Sequence, residues 1–293
     1  MKLGASAMFD GRPGREAADV APFARAAESA GFSTIWIPEH VVFFREYTSQ
    51  YPYNETGEPG FGRDQGLYDP LFVAQAAALA TTTLRVATSV LILPERNPVV
   101  LAQEVVALDH FSNGRFDLGV GVGWSSEEFE AIGVPWSRRG ARTDDYLVAM
   151  KTLWSDEVAS HHGEFVQFEG VIAMPKPRQT PHPPIVVGGQ SPAALRRVVK
   201  HGDAWYGWNL TIEELGSTIE DLRHRLEAAD RDPSSVSCKI GIPSAPTPGD
   251  VRPYIEQAAE LGVDEVVLLV NRRGRPIAER LEEFGTALVG PVA

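Results

Sequence analysis

A single cysteine, Cys238, is all the thiol in this 293-residue chain, which excludes an internal disulfide framework and suits a reducing compartment. Its strand-like surroundings point to core packing rather than reactivity. Long hydrophobic runs are also missing, and no apolar stretch reaches the roughly 18 residues that a membrane helix needs. The chain opens on the strand-like Lys2-Leu3-Gly4-Ala5-Ser6-Ala7, without the charged and apolar regions of a secretory leader, so a cytoplasmic location is expected. Positive charge is scarce. Lys and Arg number 27 against 39 Asp and Glu, for a formal charge of −12 and no clustered basic patch. Neither nucleic acid nor an anionic membrane is therefore an expected partner. Tandem repeats and low-complexity tracts are absent too.

What remains is a regular alternation of helical and strand patterns, with 43% hydrophobic residues to fill one large core over 1–293. Glu16–Ala30 sets Val20, Phe23, Ala24 and Ala27 on one helical face, stops at Gly31 and gives way to Thr34–Ile37. Asp69–Thr82 leads to Leu84–Val90, and Asn97–Phe111, closed by Ser112-Asn113-Gly114, leads to Phe116–Val122. Pro253–Leu261 stops at Gly262 before Glu265–Val270. Further strands are expected at Pro184–Val187, Asp203–Tyr206 and Val236–Ile240, and helices at Pro192–His201, Ile212–Ala229 and Ile277–Leu288. With Leu3–Ala7 this makes eight strands. Their Val, Ile and Leu content predicts burial on both faces and a parallel sheet, and eight such units fit a (β/α)8 TIM barrel.

Two connections are longer than the rest. Val41 to Tyr68 carries Phe43, Phe44, Tyr47, Tyr51, Tyr53, Phe61 and Tyr68 among glycines and prolines, and reads as a lid or substrate wall. Ser155 to Pro183 reads as a small hairpin insertion followed by an extended stretch entering the fifth strand.

In such a barrel the chemistry belongs at the carboxyl ends of the strands. Glu39 and His40 follow the second strand. They are either a local pair that orders the long loop or a catalytic pair, and the position of His40 opposite a glycine-bared strand favours catalysis. Gly188-Gly189-Gln190-Ser191 precedes a helix and offers amides for a phosphate, with a tight turn capped by Ser191 as the plainer alternative. His161 and His162 read as solvent-facing rather than metal-binding, because no third ligand stands at zinc spacing, and no metal is expected. Lys239 reads as structural.

The segments Ile35–His40, Ala87–Leu91 with Asn97-Pro98, Gly119–Trp124 with Glu127-Glu128-Phe129, and Pro184–Pro192 with Gly202–Trp205 together resemble the bacterial luciferase-like monooxygenase superfamily. The nearest likeness is to its actinobacterial branch that uses the deazaflavin coenzyme F420. The resemblance implies a homodimer, and a ring resting on a non-prolyl cis peptide at Ser89-Val90. It places Val122, Gly123 and Trp124 on the ring's other side, Gly188, Gly189, Gln190 and Ser191 at the phosphate, and His40 with Glu39 at the redox centre. Trp124 stands where sugar-phosphate-oxidising members carry a carboxylate, and Phe44 where they carry a tryptophan. The substrate implied is instead small and apolar or conjugated, lined by Phe44, Tyr51, Trp124, Trp205 and Trp208. Hydride transfer with F420 is the expected activity. An FMN-dependent monooxygenase fed by a separate reductase is the alternative, and a flavin-binding protein without turnover the second. The acidic tail of F420 would seek cations at the mouth, for which Arg45, Arg63, Arg138 and Arg139 are candidates.

Overall fold

Strands rich in branched apolar residues need cover on both faces, and a closed ring of them wrapped in helices supplies it without leaving an edge. The computed structural model describes residues 1–58 and 66–289; Phe61 and Arg63 lie outside them. The staves are β1 (Lys2–Ser6), β2 (Thr34–Ile37), β3 (Arg85–Thr88), continued by β4 (Leu91–Ile92), β5 (Phe116–Gly121), and, after a hairpin, β8 (Ile185–Gly188), β9 (Ala204–Trp208), β10 (Ser237–Ile242) and β11 (Glu265–Leu269). Their order is β3-β2-β1-β11-β10-β9-β8-β5, all parallel, and a β3–β5 pairing closes the ring. This is the (β/α)8 barrel that the alternating pattern predicts.

The helices are α1 (Ala17–Ser29), α2 (Pro70–Leu79), α3 (Pro98–Phe111), α4 (Ser126–Ala131), α5 (Arg139–Ser155), α6 (Pro192–His201), α7 (Ile212–Glu227), α8 (Pro248–Glu260) and α9 (Ile277–Leu288). Asn97 caps α3 by accepting from the Val99 and Val100 amides at 3.0 and 3.2 Å, and Pro98 follows where its missing N–H costs nothing. Two differences from the sequence pattern stand out. The helix expected from Pro253 begins at Pro248, and Pro253 lies inside it. The fourth stave is followed by two helices, α4 and α5, that the pattern does not mark. On α5 the buried set includes Arg142 and Thr143 beside Leu147, Met150 and Trp154, which blurs its apolar stripe.

Between α5 and β8 the chain forms an antiparallel hairpin, β6 (Ala159–His162) with β7 (Gln167–Val171). His161 does not face solvent as expected. Its Nε2 sits 2.7 Å from Asp145 Oδ1, and Asp145 also accepts from the Phe165 and Val166 amides, so the pair ties the hairpin to α5. His162 is exposed. Cys238 is buried and unpaired with any other thiol, and burial pushes it up to about 11.

The core has two parts. The larger lies between staves and helices; the smaller fills the barrel with Trp36, Ala87, Val186, Ala204, Tyr206 and Val267. Among the described residues no helix is long and apolar enough to cross a membrane.

Candidate active site

Near the carboxyl end of the barrel the inward positions of β5 are Gly119 and Gly121, and the Thr88 carbonyl and Val90 take up the room that side chains there would need. The chain steps from β3 to β4 through Ser89-Val90, whose peptide is cis. Val90 leans over two neighbouring staves: a Cβ at Gly121 would stand 2.5 Å from Val90 Cγ2, and one at Gly188 would stand 2.7 Å from Val90 Cγ1. Glycine is the residue that leaves Val90 this room. Ser89 and Val90 are half-buried at the mouth, opposite half-buried Val122, Gly123 and Trp124. Below them Tyr206 is wholly buried beside Ser89, and burial pushes its hydroxyl far above the usual range.

His40 enters this mouth from the end of β2. Its Nδ1 is 2.9 Å from Glu128 Oε2, and Trp124 Nε1–H donates to its Nε2 at 3.3 Å. An indole N–H gives a proton and never accepts one, so Nε2 is the bare nitrogen and Nδ1 carries the hydrogen that goes to Glu128. The imidazole is therefore held as one neutral tautomer, with the atom that can take a proton directed at Trp124.

Glu39 does something else. It is buried, accepts from the Ile92 amide and pairs with Arg96, which also holds Asp69 at 2.8 Å. Asp69 in turn caps α2 through the Leu71 amide. Glu39 thus belongs to an ion network behind β4, and its expected place on His40 or the coenzyme is corrected: the carboxylate partner of His40 is Glu128. The sequence hid that role, because Ser125-Ser126-Glu127-Glu128 reads as a capping box, and Ser125 Oγ does accept the Glu128 amide at 3.2 Å. The Glu128 side chain turns inward instead. Glu95, which the motifs do not mark, is a half-buried acid just after β4 whose two carboxylate oxygens are sealed from solvent.

Residues 41–58 fold back over this centre and are clasped by α4. Glu128 Oε1 accepts the Val41 and Val42 amides, the latter at 3.3 Å. Glu127 Oε1 accepts the Thr48 amide and hydroxyl, both at 2.6 Å, and the Ser49 amide at 3.0 Å. Burial opposes ionisation of Glu127, but these bonds outweigh it and hold its carboxyl below the usual range. The clasp sets aromatic rings around Trp124: Tyr47 at 5.1 Å and Tyr51 at 5.2 Å between centroids, with Phe43 at 5.0 Å from His40 and Phe44 packed on Tyr47. Burial next to Tyr53 pushes Tyr51 up to about 12.

Of the two tryptophans expected in the substrate wall from β9, only Trp208 is at the mouth, half-buried. Trp205 is fully buried in the outer core and donates through Nε1 to the Gly189 carbonyl at 2.7 Å, so its placement against substrate is corrected. Side chains alternate along a strand, and Trp205 falls on the helix side.

The turn after β8 leads directly into the amino terminus of α6. Gly189 has a φ of +107°, Ser191 caps α6 by accepting the Ala194 amide at 3.2 Å, and Gln190 Oε1 accepts the Trp208 amide at 3.3 Å. Among the described residues no acceptor pairs with the Gln190 and Ser191 amides. Arg139 reaches the turn that follows β5. It donates to the Gly123 carbonyl at 3.3 Å and stacks on Trp136, whereas Arg138 is engaged by Glu164. No cluster of His, Cys, Asp and Glu among the described residues could hold a metal ion.

Residues 1–261 match the family model described as luciferase-like monooxygenase. An uncharacterized protein of Mycobacterium tuberculosis is 35% identical over 274 residues, 90% of this chain and 92% of its own length. The FMNH2-dependent dimethylsulfone monooxygenase of Pseudomonas putida is 33% identical over 186 residues, 62% of this chain and 49% of that protein. Among solved structures, an F420-dependent secondary alcohol dehydrogenase in complex with an F420–acetone adduct superposes with a TM-score of 0.78 at 18% identity, over 99% of this chain and 98% of that one. The coenzyme F420-dependent tetrahydromethanopterin reductase of Methanopyrus kandleri gives 0.77 at 14% identity over 98% of each. At such identities these structures speak for the fold.

Proposed function

The chain belongs to the luciferase-like monooxygenase family, and from that membership we propose that it is an oxidoreductase transferring hydride between coenzyme F420 and a small apolar or conjugated organic substrate. One observation carries the reading: a neutral histidine, oriented by a buried carboxylate, stands at the glycine-bared mouth of the barrel. The residues fit the group. Val90 fills the room that Gly121 and Gly188 leave and so offers a flat ring an apolar floor at the mouth, and the amides of Gln190 and Ser191 at the start of α6 suit its phosphate. When bound, the deazaflavin supplies the hydride chemistry. His40 Nε2 takes the proton that an alcohol-type substrate gives up, Trp124 yielding the position, and Glu128 stabilises the resulting imidazolium through Nδ1–H. Tyr47, Tyr51, Phe44 and Trp208 keep water out and favour an apolar substrate. Exposed Phe72 and Leu79 on α2 with Val100 and Phe111 on α3 supply an apolar face for a homodimer.

The FMN-dependent monooxygenase with a partner reductase is the second reading, favoured by the relative from Pseudomonas putida. Parallel titration of the purified protein with F420 and FMN separates the two; at least tenfold tighter binding of F420 is expected, and the reverse preference overturns the first reading. Turnover with reduced coenzyme distinguishes either enzyme from a flavin-binding protein. His40→Ala should lower turnover by about a hundredfold or more while coenzyme affinity changes little. Loss of binding with normal turnover per bound coenzyme would make His40 a binding residue only.

A further inference from the structure

Glu95 is an acid without a partner in a neighbourhood where every other carboxylate has one. It ends the short 3-10 turn Leu93–Glu95 after β4, and both its oxygens are sealed from solvent with no hydrogen bond among the described residues. Around it, Glu39 is held by Arg96 and the Ile92 amide, Asp69 by Arg96 and the Leu71 amide, and Glu128 by His40 and the amides of Val41 and Val42. Arg96 adjoins Glu95 in the chain but spends its guanidinium on the other two carboxylates. The charged groups acting on Glu95 are Glu128 from α4, Glu39 from the end of β2 and Arg96; α5 packs on the same turn and brings none. Another anion here would face two carboxylates with the adjoining guanidinium already taken, so the geometry keeps the acid protonated.

We propose that Glu95 is a positioning residue for the His40–Glu128 pair: neutral, it lets Glu128 stand as the single charge against the imidazole, and ionised, it repels Glu128 from His40 and from the Val41 and Val42 amides. The only atom transferred is the Glu95 proton, which leaves to solvent hydroxide. The proposal rests on the reading of His40 as proton partner for its effect on turnover, but not for its effect on the hydrogen bonds of Glu128.

The test is an NMR titration of the coenzyme-free protein, following the His40 Nδ1–H and the Val41 and Val42 amides in wild type and Glu95→Gln. Wild type should show a transition of all three signals near the Glu95 midpoint, pushed up to about 9 by burial and then by Glu128 and Glu39. The glutamine variant should hold them unchanged to about pH 10. With coenzyme and substrate, an alkaline limb of kcat/KM should be present in wild type and absent in the variant. A transition that persists in Glu95→Gln, or none in wild type, overturns the proposal. Glu95→Met, equally neutral, replaces the glutamine variant if that fails to fold. Failure of F420 to bind would leave the NMR result standing and so falls on the functional reading alone.

Discussion

His40 and Glu39 adjoin in sequence and serve different parts of the molecule, because successive side chains leave a strand end on opposite sides. One joins Glu128 at the mouth; the other joins Arg96 behind β4. Glu95, on the turn after β4, carries a consequence for stability. Its native midpoint, about 9, lies above the ordinary 4.5, so between these values the folded chain binds a proton that the unfolded chain has released. The contribution of Glu95 to stability is then fullest below about pH 4.5 and falls as pH rises towards about 9. Glu95→Gln removes that dependence. Its thermal midpoint should match or trail the wild type near pH 5 and exceed it near pH 8, the relative gain in stability between the two pH values being on the order of 4 kcal/mol. Parallel thermal curves at the two pH values would show that Glu95 ionises normally in the fold.

At the scale of elements, α4 is a six-residue helix with two consecutive acids, each holding a separate part of residues 41–58. Glu127 touches only the distal part, at Thr48 and Ser49, together with the Ser49–Ser126 hydroxyl contact at 2.8 Å. Glu127→Ala should therefore loosen this segment without disturbing the barrel. Amide exchange at Thr48 and Ser49 should accelerate by about tenfold or more, the loss of roughly one to two hydrogen bonds, while the amides of β5 stay protected. Equal acceleration in β5 would mean that α4 supports the stave as well as the loop.

At the scale of the whole molecule, the barrel was legible because its staves are runs of branched apolar residues between helices with clear stops, and Gly31, Gly114 and Gly262 punctuate them as written. The mouth was legible in part. His40 and Gly188–Ser191 stand at or after the end of a stave, and the glycines of β5 stand within one, positions that a linear sequence displays. Glu128 and Glu95 are not, since their roles depend on which carboxylate reaches Nδ1 across 88 residues and which is left without a cation. Trp205 shows the same limit in reverse, an aromatic residue in the right segment on the wrong side of its strand.

The closed barrel also separates its two ends. At the amino end, Lys239 Nζ meets Glu265 Oε2 at 2.8 Å, Trp36 Nε1 and Ser33 Oγ donate to Glu265 Oε1 at 3.2 and 3.0 Å, and Arg85 pairs with Asp117. Ser33, Arg85, Asp117 and Glu265 stand just before or at the start of their staves, Lys239 reaches down to them, and the apolar layer of Trp36, Ala87, Tyr206 and Val267 fills the barrel beyond them. Breaking the base should therefore cost stability and spare the site. Lys239→Met leaves Glu265, which has no exposed surface, without its cation. The expected loss is about 3–5 kcal/mol, as for other buried pairs deprived of one partner. Adding Glu265→Gln should recover much of it, since the penalty comes from the unpaired charge. Denaturant unfolding of the two variants measures both terms, and coenzyme affinity at temperatures where each stays folded should remain within about twofold of wild type. A weakened affinity in folded Lys239→Met would show that the ionic base sets the shape of the mouth through the apolar layer.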